Sequence, residues 1–220
     1  MTDFFTLIDA VVDMEWRMFV SVNGETISGA CQENPQTFAA MRKSQFSNWS
    51  EAAVRSYHRD LLNAERKDCN LLREKFLYMM EGTDPRQFAK LREELPETGE
   101  KKKELVCALS ERMLRQLAAL YREYPYLSST SRPLYAVDNT PEITSAETYQ
   151  KCELLTYSEE TLEALQAHLD ELESRGESLA EKILRDSMRY YGYQNLQDAE
   201  EKAAAYWKEQ DKTQDKTEKS

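Results

Sequence analysis

Glycine and proline are scarce in this chain, six of each among 220 residues. They are the residues that most disfavour helix interiors, so their scarcity leaves long stretches free to coil. Histidine is scarcer still, at two. That rules out the two Glu-x-x-His pairs of a carboxylate-bridged di-iron bundle and the HExxH of a zinc protease. CxxC, GxGxxG, GxxxxGK[ST] and GxSxG do not occur, which argues against the usual zinc, dinucleotide, P-loop and serine-hydrolase sites. No run approaches the ~20 apolar residues of a membrane-spanning helix. Positive charge is in deficit, with 29 Lys and Arg against 40 Asp and Glu and a net charge of −11. Such a surface argues against nucleic acid or an anionic membrane as partner. The opening MTDFFTLIDAVVDMEW has Asp3 where a signal peptide carries basic residues, and Asp9 and Asp13 interrupt its apolar run. A cytoplasmic location is the expectation. The widely spaced Cys31, Cys69, Cys107 and Cys152 are expected to be free thiols.

What the chain does have is helix composition and legible helix punctuation. A first helix spans roughly Asp3 to Val22, followed by Asn23-Gly24 and a polar stretch in which a loop is favoured over a hairpin. Asn34-Pro35 reads as a cap and first helical residue, opening a long helix to about Ala64. Asn70 to Glu81 is the next helix, stopped by Gly82, and Asp84-Pro85 opens a short one. Lys101 to Tyr124 follows, closed by Pro125. The segment 125–143 is the one long irregular connection, and loops of that length are often functional. Thr144 with Glu147 forms a capping box for a helix to about Thr156, and Ser158 caps the next. Gly176, Gly192 and Asn195 punctuate the remainder. The expected fold is all-α: a single compact bundle of about seven to nine helices over residues 1–207, with a disordered charged tail over 208–220.

One residue conflicts with this pattern. The first helix carries an apolar seam, Phe4, Ile8, Val11, Met18 and Val22, with Glu15 in its middle. A buried carboxylate costs several kcal/mol unless it is paired. Other seams carry polar residues too. Arg42 and Gln45 fall on the helical line of Phe38 and Trp49, and Lys75 lies between Leu71, Leu72 and Tyr78, Met79. In TSAETYQKCELLTYS, Tyr149 and Glu153 share a face. These six are the candidate site. Glu15 and Lys75 are the candidate catalytic groups, and Arg42, Gln45, Tyr149 and Glu153 the candidate ligand-binding ones. The competing reading of Glu15, Arg42, Gln45 and Lys75 is an internal salt-bridge network that sets how the helices pack; that of the second segment has Glu147 as capping acid, Tyr149 and Cys152 as core and Glu153 on the surface. Cys31, before a helix N-terminus, suits a nucleophile only if a histidine approaches it. His58 could do so by folding, while His168 reads as solvated. A carboxylate-only metal site from Glu15, Asp60 and Glu153 is the weakest alternative, and no metal is expected.

The stretches EWRMFVSVNG, ACQENPQTFAAMRKSQFSNW, NLLREKFLYMMEGTDP and TSAETYQKCELLTYS, in that order, resemble the DUF4125 family of uncharacterised proteins. The resemblance spans about Ile8 to Tyr193. It implies a compact helical domain found mainly in bacteria, often anaerobes, and supplies no reaction, cofactor or catalytic residue. Two functions remain open. One is binding or transformation of a small anionic or zwitterionic molecule at a buried polar cluster. The other is a non-catalytic adaptor that recognises a protein partner. A concave, open cluster favours the first, and a sealed, fully paired one beside exposed aromatics favours the second.

Overall fold

The computed structural model describes residues 3–22 and 34–217. The Asn23-Gly24 turn and Cys31 lie outside the described residues. Among the described residues there are eleven α-helices, two 3-10 turns and no strand. The helices are α1 (Phe4–Ser21), α2 (Pro35–Phe46), α3 (Glu51–Arg66), α4 (Leu71–Thr83), α5 (Pro85–Leu91) and α6 (Glu100–Glu123). They continue with α7 (Pro125–Ser129), α8 (Ala146–Thr156), α9 (Glu159–Ser174), α10 (Leu179–Tyr190) and α11 (Leu196–Thr217).

The count exceeds seven to nine because one expected helix divides and the expected loop contains a helix of its own. The helix expected from Pro35 to Ala64 breaks between Phe46 and Glu51. There the Asn48 side chain donates to Ser44 O at 2.9 Å, competing with the backbone for a helix acceptor, and Ser50 caps the Ala53 N–H. The segment 125–143 also folds locally, into α7 behind Pro125 and a 3-10 turn over Ala136–Asp138. The α7 end is capped from afar, as the Glu200 carboxylate accepts from Tyr126 N at 3.0 Å and Leu127 N at 2.7 Å. At the other extreme α11 runs past Trp207 to Thr217, since KEQDKTQDKT holds no Gly or Pro to stop it.

Most of the punctuation operates as read. Asn34, Asn70, Asp84 and Ser158 each accept a backbone N–H three residues on. The capping box at Thr144 is displaced by one residue. Ser145 is the cap, accepting from Thr148 N, and Glu147 instead takes the Ala136 N–H of the preceding loop at 2.7 Å. Thr144 itself is buried.

In space, α1 lies against α2, α3 and α4, while α6 lies against α8, α9 and α10. Contacts of α3 with α9, α4 with α8 and α2 with α10 join the two groups. The apolar core is one cluster, from Ile8 and Val11 of α1 through Val54 and Leu61 of α3 to Leu109 of α6 and Leu162, Leu165 and Leu169 of α9. Polar ties fix the register between helices. Asn70 at the start of α4 donates to Met18 O at the end of α1, and Asp60 of α3 accepts from Ser158 N and the Thr161 hydroxyl at the start of α9. No described helix is long and apolar enough to cross a membrane.

Candidate functional site

All six candidate residues meet where α1, α2, α4 and α8 approach one another. Glu15 arrives on the α1 seam and is 0% exposed. Arg42 grips it with both edges, Nε to Oε2 at 2.6 Å and Nη2 to Oε1 at 2.5 Å. This is the bidentate fork that guanidinium and carboxylate geometry favours. The third nitrogen, Nη1, reaches Gln45 Oε1 at 2.8 Å and Glu153 Oε1 at 2.9 Å. Lys75 Nζ donates to the other Glu153 oxygen at 2.7 Å and lies 3.6 Å from the centre of the Tyr149 ring. Gln45 Nε2 adds a bond to Glu153 Oε1 at 3.0 Å. Glu153, for which a surface position is the alternative reading, is therefore buried.

Two further partners are tyrosines. Tyr57 of α3 donates to Glu15 Oε1 at 2.7 Å, and Tyr157, just beyond α8, donates to Glu153 Oε1 at 2.6 Å. Their rings sit 4.7 Å apart and pack with Phe46 and Trp49. The sequence signal for Tyr157 is its place one turn after Glu153. Tyr57 merely looks like one more apolar-face residue of α3. Neither hydroxyl's target is readable, because Tyr57 and Glu15 are 42 residues apart.

The electrostatics follow from burial against pairing. Two carboxylates and two cations balance to zero net charge. Burial alone pulls the Arg42 guanidinium down, but Glu15 and Glu153 more than offset it and hold it well above its ordinary value. Burial pushes Glu153 up, and Arg42 and Lys75 outweigh it to leave the carboxyl well below the usual range. Lys75 is lowered by burial and raised further by Glu153, so it ends up above the ordinary lysine value. Burial, then the adjacent Glu15 and Glu153 respectively, raise Tyr57 and Tyr157 well above theirs. The tyrosines therefore stay protonated as donors, and Arg42, Lys75 and Glu153 stay charged.

Every oxygen of Glu15 and Glu153 accepts at least one bond. Among the described residues the packing around the cluster leaves no room for a water molecule. A general base needs a lone pair within reach of a substrate proton; Glu15 accepts three bonds, two at Oε1 and one at Oε2, and the packing beside it leaves no room for a substrate atom. The cluster's outer rim is formed by Gln45 and Tyr149, both half-buried. The other readings separate from it. Asp60 caps α9 rather than joining Glu15, and among the described residues no group of His, Cys, Asp and Glu is arranged for a metal. His168 is not solvated as read, because its Nε2 lies 2.8 Å from Asn48 O in the gap between α2 and α3. Cys152 is buried beside the cluster, and burial pushes its thiol up to about 12 against the pull of Lys75 and Lys151. Iodoacetamide at pH 8 is therefore expected to label the exposed Cys69 and Cys107 and spare Cys152. Comparable labelling of all three by peptide mass mapping would mean that α8 is not packed as described.

Fold and geometry together define, among the described residues, an all-helical structure packed around a charge-balanced ion cluster. The family model described as "Protein of unknown function (DUF4125)" matches residues 5–201, and the chain belongs to that family. The match includes every residue of the cluster. No curated protein and no solved structure matches the chain.

Proposed function

We propose that the protein is a non-catalytic recognition module, built on a helical frame that the ion cluster locks and acting on a protein partner through its surface. The observation that carries this reading is that, among the described residues, every carboxylate oxygen of the cluster accepts a bond and no room is left there for a water molecule. A sealed polar network of this kind fixes packing and register more readily than it performs chemistry. The recognition surface is the segment between α7 and α8. It presents Tyr135, Val137 (88% exposed) and Ile143 to solvent. Its backbone is nonetheless held: Ala146 N donates to Pro133 O, Ala136 N to Glu147, and Asn139 bonds both Thr148 and Ser145 N. Apolar tips on a rigid, pre-organised loop suit protein recognition.

The test is a Val137→Asp/Ile143→Asp double variant, cross-linked gently in the cells that make the protein and analysed by native mass spectrometry. The wild type is expected to carry a stoichiometric protein partner that the variant loses. The variant's stability should stay within about 0.5 kcal/mol, as for other surface changes. Retention of the same partner by the variant would sink the loop's role.

A second reading, a site for a small anionic or zwitterionic molecule, is favoured by one observation. The residues in contact with Glu153 and Lys75 include Gln45 and Tyr149, both only half-buried, and the Glu153 side chain keeps 9% of its own exposure. In that reading Arg42 and Lys75 clamp an anion and Glu15 takes a proton or holds an amine. A small molecule that co-purifies with the wild type and is lost from a folded Glu15→Gln variant would establish it in place of the first.

A further inference from the structure

The Tyr149 ring has two cations against it, Lys75 Nζ at 3.6 Å and Arg132 Cζ at 4.7 Å from its centre. Lys75 is 2% exposed, whereas Arg132 is exposed. The ring thus has one buried cation and one exposed cation against it. Arg132 is itself anchored. Its Nη1 donates to Thr144 O at 3.0 Å, and its carbonyl accepts the Tyr121 hydroxyl at 2.7 Å. The next two carbonyls, of Pro133 and Leu134, accept from Ala146 and Glu147 in the first turn of α8. The chain from Arg132 to Thr144 is thus a strap that ends on the helix carrying Tyr149 and clamps that ring from outside.

We propose that Tyr149 is a gate between solvent and Lys75, and that Arg132 is the latch that holds it shut. Opening is a rotation of the Tyr149 side chain alone, with α8 in place and the Lys75–Glu153 pair intact. The strap controls that rotation, because Arg132 adds an attractive contact to the ring's outer face only while Thr144 O holds it there. Whatever moves the strap, a partner on Tyr135 and Val137 included, then alters access to a buried ammonium several residues away.

The test is amidination of lysines with methyl acetimidate at a single pH, read by peptide mass spectrometry and normalised to the exposed Lys103. Glu153 keeps the Lys75 amine protonated in every form, so each variant is compared with the wild type rather than with free lysine. In the wild type Lys75 should be among the slowest lysines. Arg132→Ala should speed it by about two- to fivefold, the scale of one exposed cation–π contact. Tyr149→Ala should speed it by about tenfold or more, as a local opening rather than an unfolding. Tyr149→Phe, which keeps the ring, should leave it unchanged. In all of them Cys152, one turn along α8, should remain unreactive to iodoacetamide. A Lys75 rate unmoved by Arg132→Ala overturns the latch. Lys75 and Cys152 rising together in that variant overturns the gate, because α8 is then lifting as a whole. If Tyr149→Ala does not fold, the exposed Arg132→Ala decides the matter with the same two readouts.

Discussion

Arg42→Ala is expected to lower stability by about 3–5 kcal/mol, the largest loss from any single change in the cluster. Arg42 supplies two bonds to Glu15 and one each to Gln45 and Glu153. Its removal leaves two buried carboxylates facing one lysine and two tyrosine hydroxyls. Uncompensated burial, rather than the lost bonds themselves, makes the change severe. Against a total of about 5–15 kcal/mol for a domain, that is a large share of the margin. The melting temperature should fall by roughly 10 °C for a chain of this size. Arg42→Lys should recover little, because a single ammonium cannot hold both Glu15 oxygens and reach Glu153. Glu15→Leu combined with Arg42→Met should be milder than Arg42→Ala, since it removes one buried pair together and leaves Glu153 with Lys75 and Tyr157. Urea unfolding of the four proteins measures this directly. A loss below about 1 kcal/mol for Arg42→Ala would place it among ordinary surface substitutions. The cluster would then relax readily to solvent, and the small-molecule reading would gain what the recognition reading lost.

The convergence of these groups was legible because each breaks a local pattern. Glu15 interrupts an apolar seam, Arg42 and Gln45 share a line with Phe38 and Trp49, and Lys75 lies among leucines and aromatics. A charge at a core position is a local fact that sequence periodicity can expose. Three things were not local. Whether the groups pair with each other or await a ligand depends on how closely α1, α2, α4 and α8 approach, and sub-ångström packing leaves no mark in periodicity. The break between α2 and α3 depends on the Asn48 side chain taking Ser44 O, which helix propensity alone does not anticipate. Glu147 reads as a capping acid three residues after Thr144. The cap moved to Ser145 because Asn139 and the strap hold the chain there, and Glu147 was free to bond Ala136. Residues that serve a neighbour far along the chain are the ones a local signature misassigns.

Acid should unfold the protein through Glu153. Its folded carboxyl sits well below the usual range, because Arg42 and Lys75 together outweigh the cost of burial. A carboxyl depressed in the fold contributes stability that is fully present above the unfolded value of about 4.3. That contribution is lost as pH falls toward the folded value, where both states hold the proton. His58 acts in the same direction from a higher pH. Burial and Arg55 lower it, so protonating it favours the unfolded chain. Glu74, raised by burial, opposes both, but it is only partly buried and lies outside the cluster. The alkaline side has its own groups. Cys152, Tyr57, Tyr157 and Lys75 are all raised in the fold, so each contributes stability that is present below its unfolded value and lost as pH rises. The unfolded values, about 8.5 for Cys and about 10 for Tyr and Lys, place the onset on that side. Stability should therefore plateau between about pH 7 and pH 8 and fall on both flanks. Glu153→Gln separates the acid flank from general acid denaturation. It should be less stable than wild type at pH 7 by about 3 kcal/mol, the scale of a broken buried pair, and the gap should begin to narrow below about pH 4 and keep narrowing toward the folded carboxyl's lower range. Urea midpoints of both proteins across this range supply the comparison. Parallel curves from pH 7 down to pH 3 would show that Glu153 does not carry the acid transition.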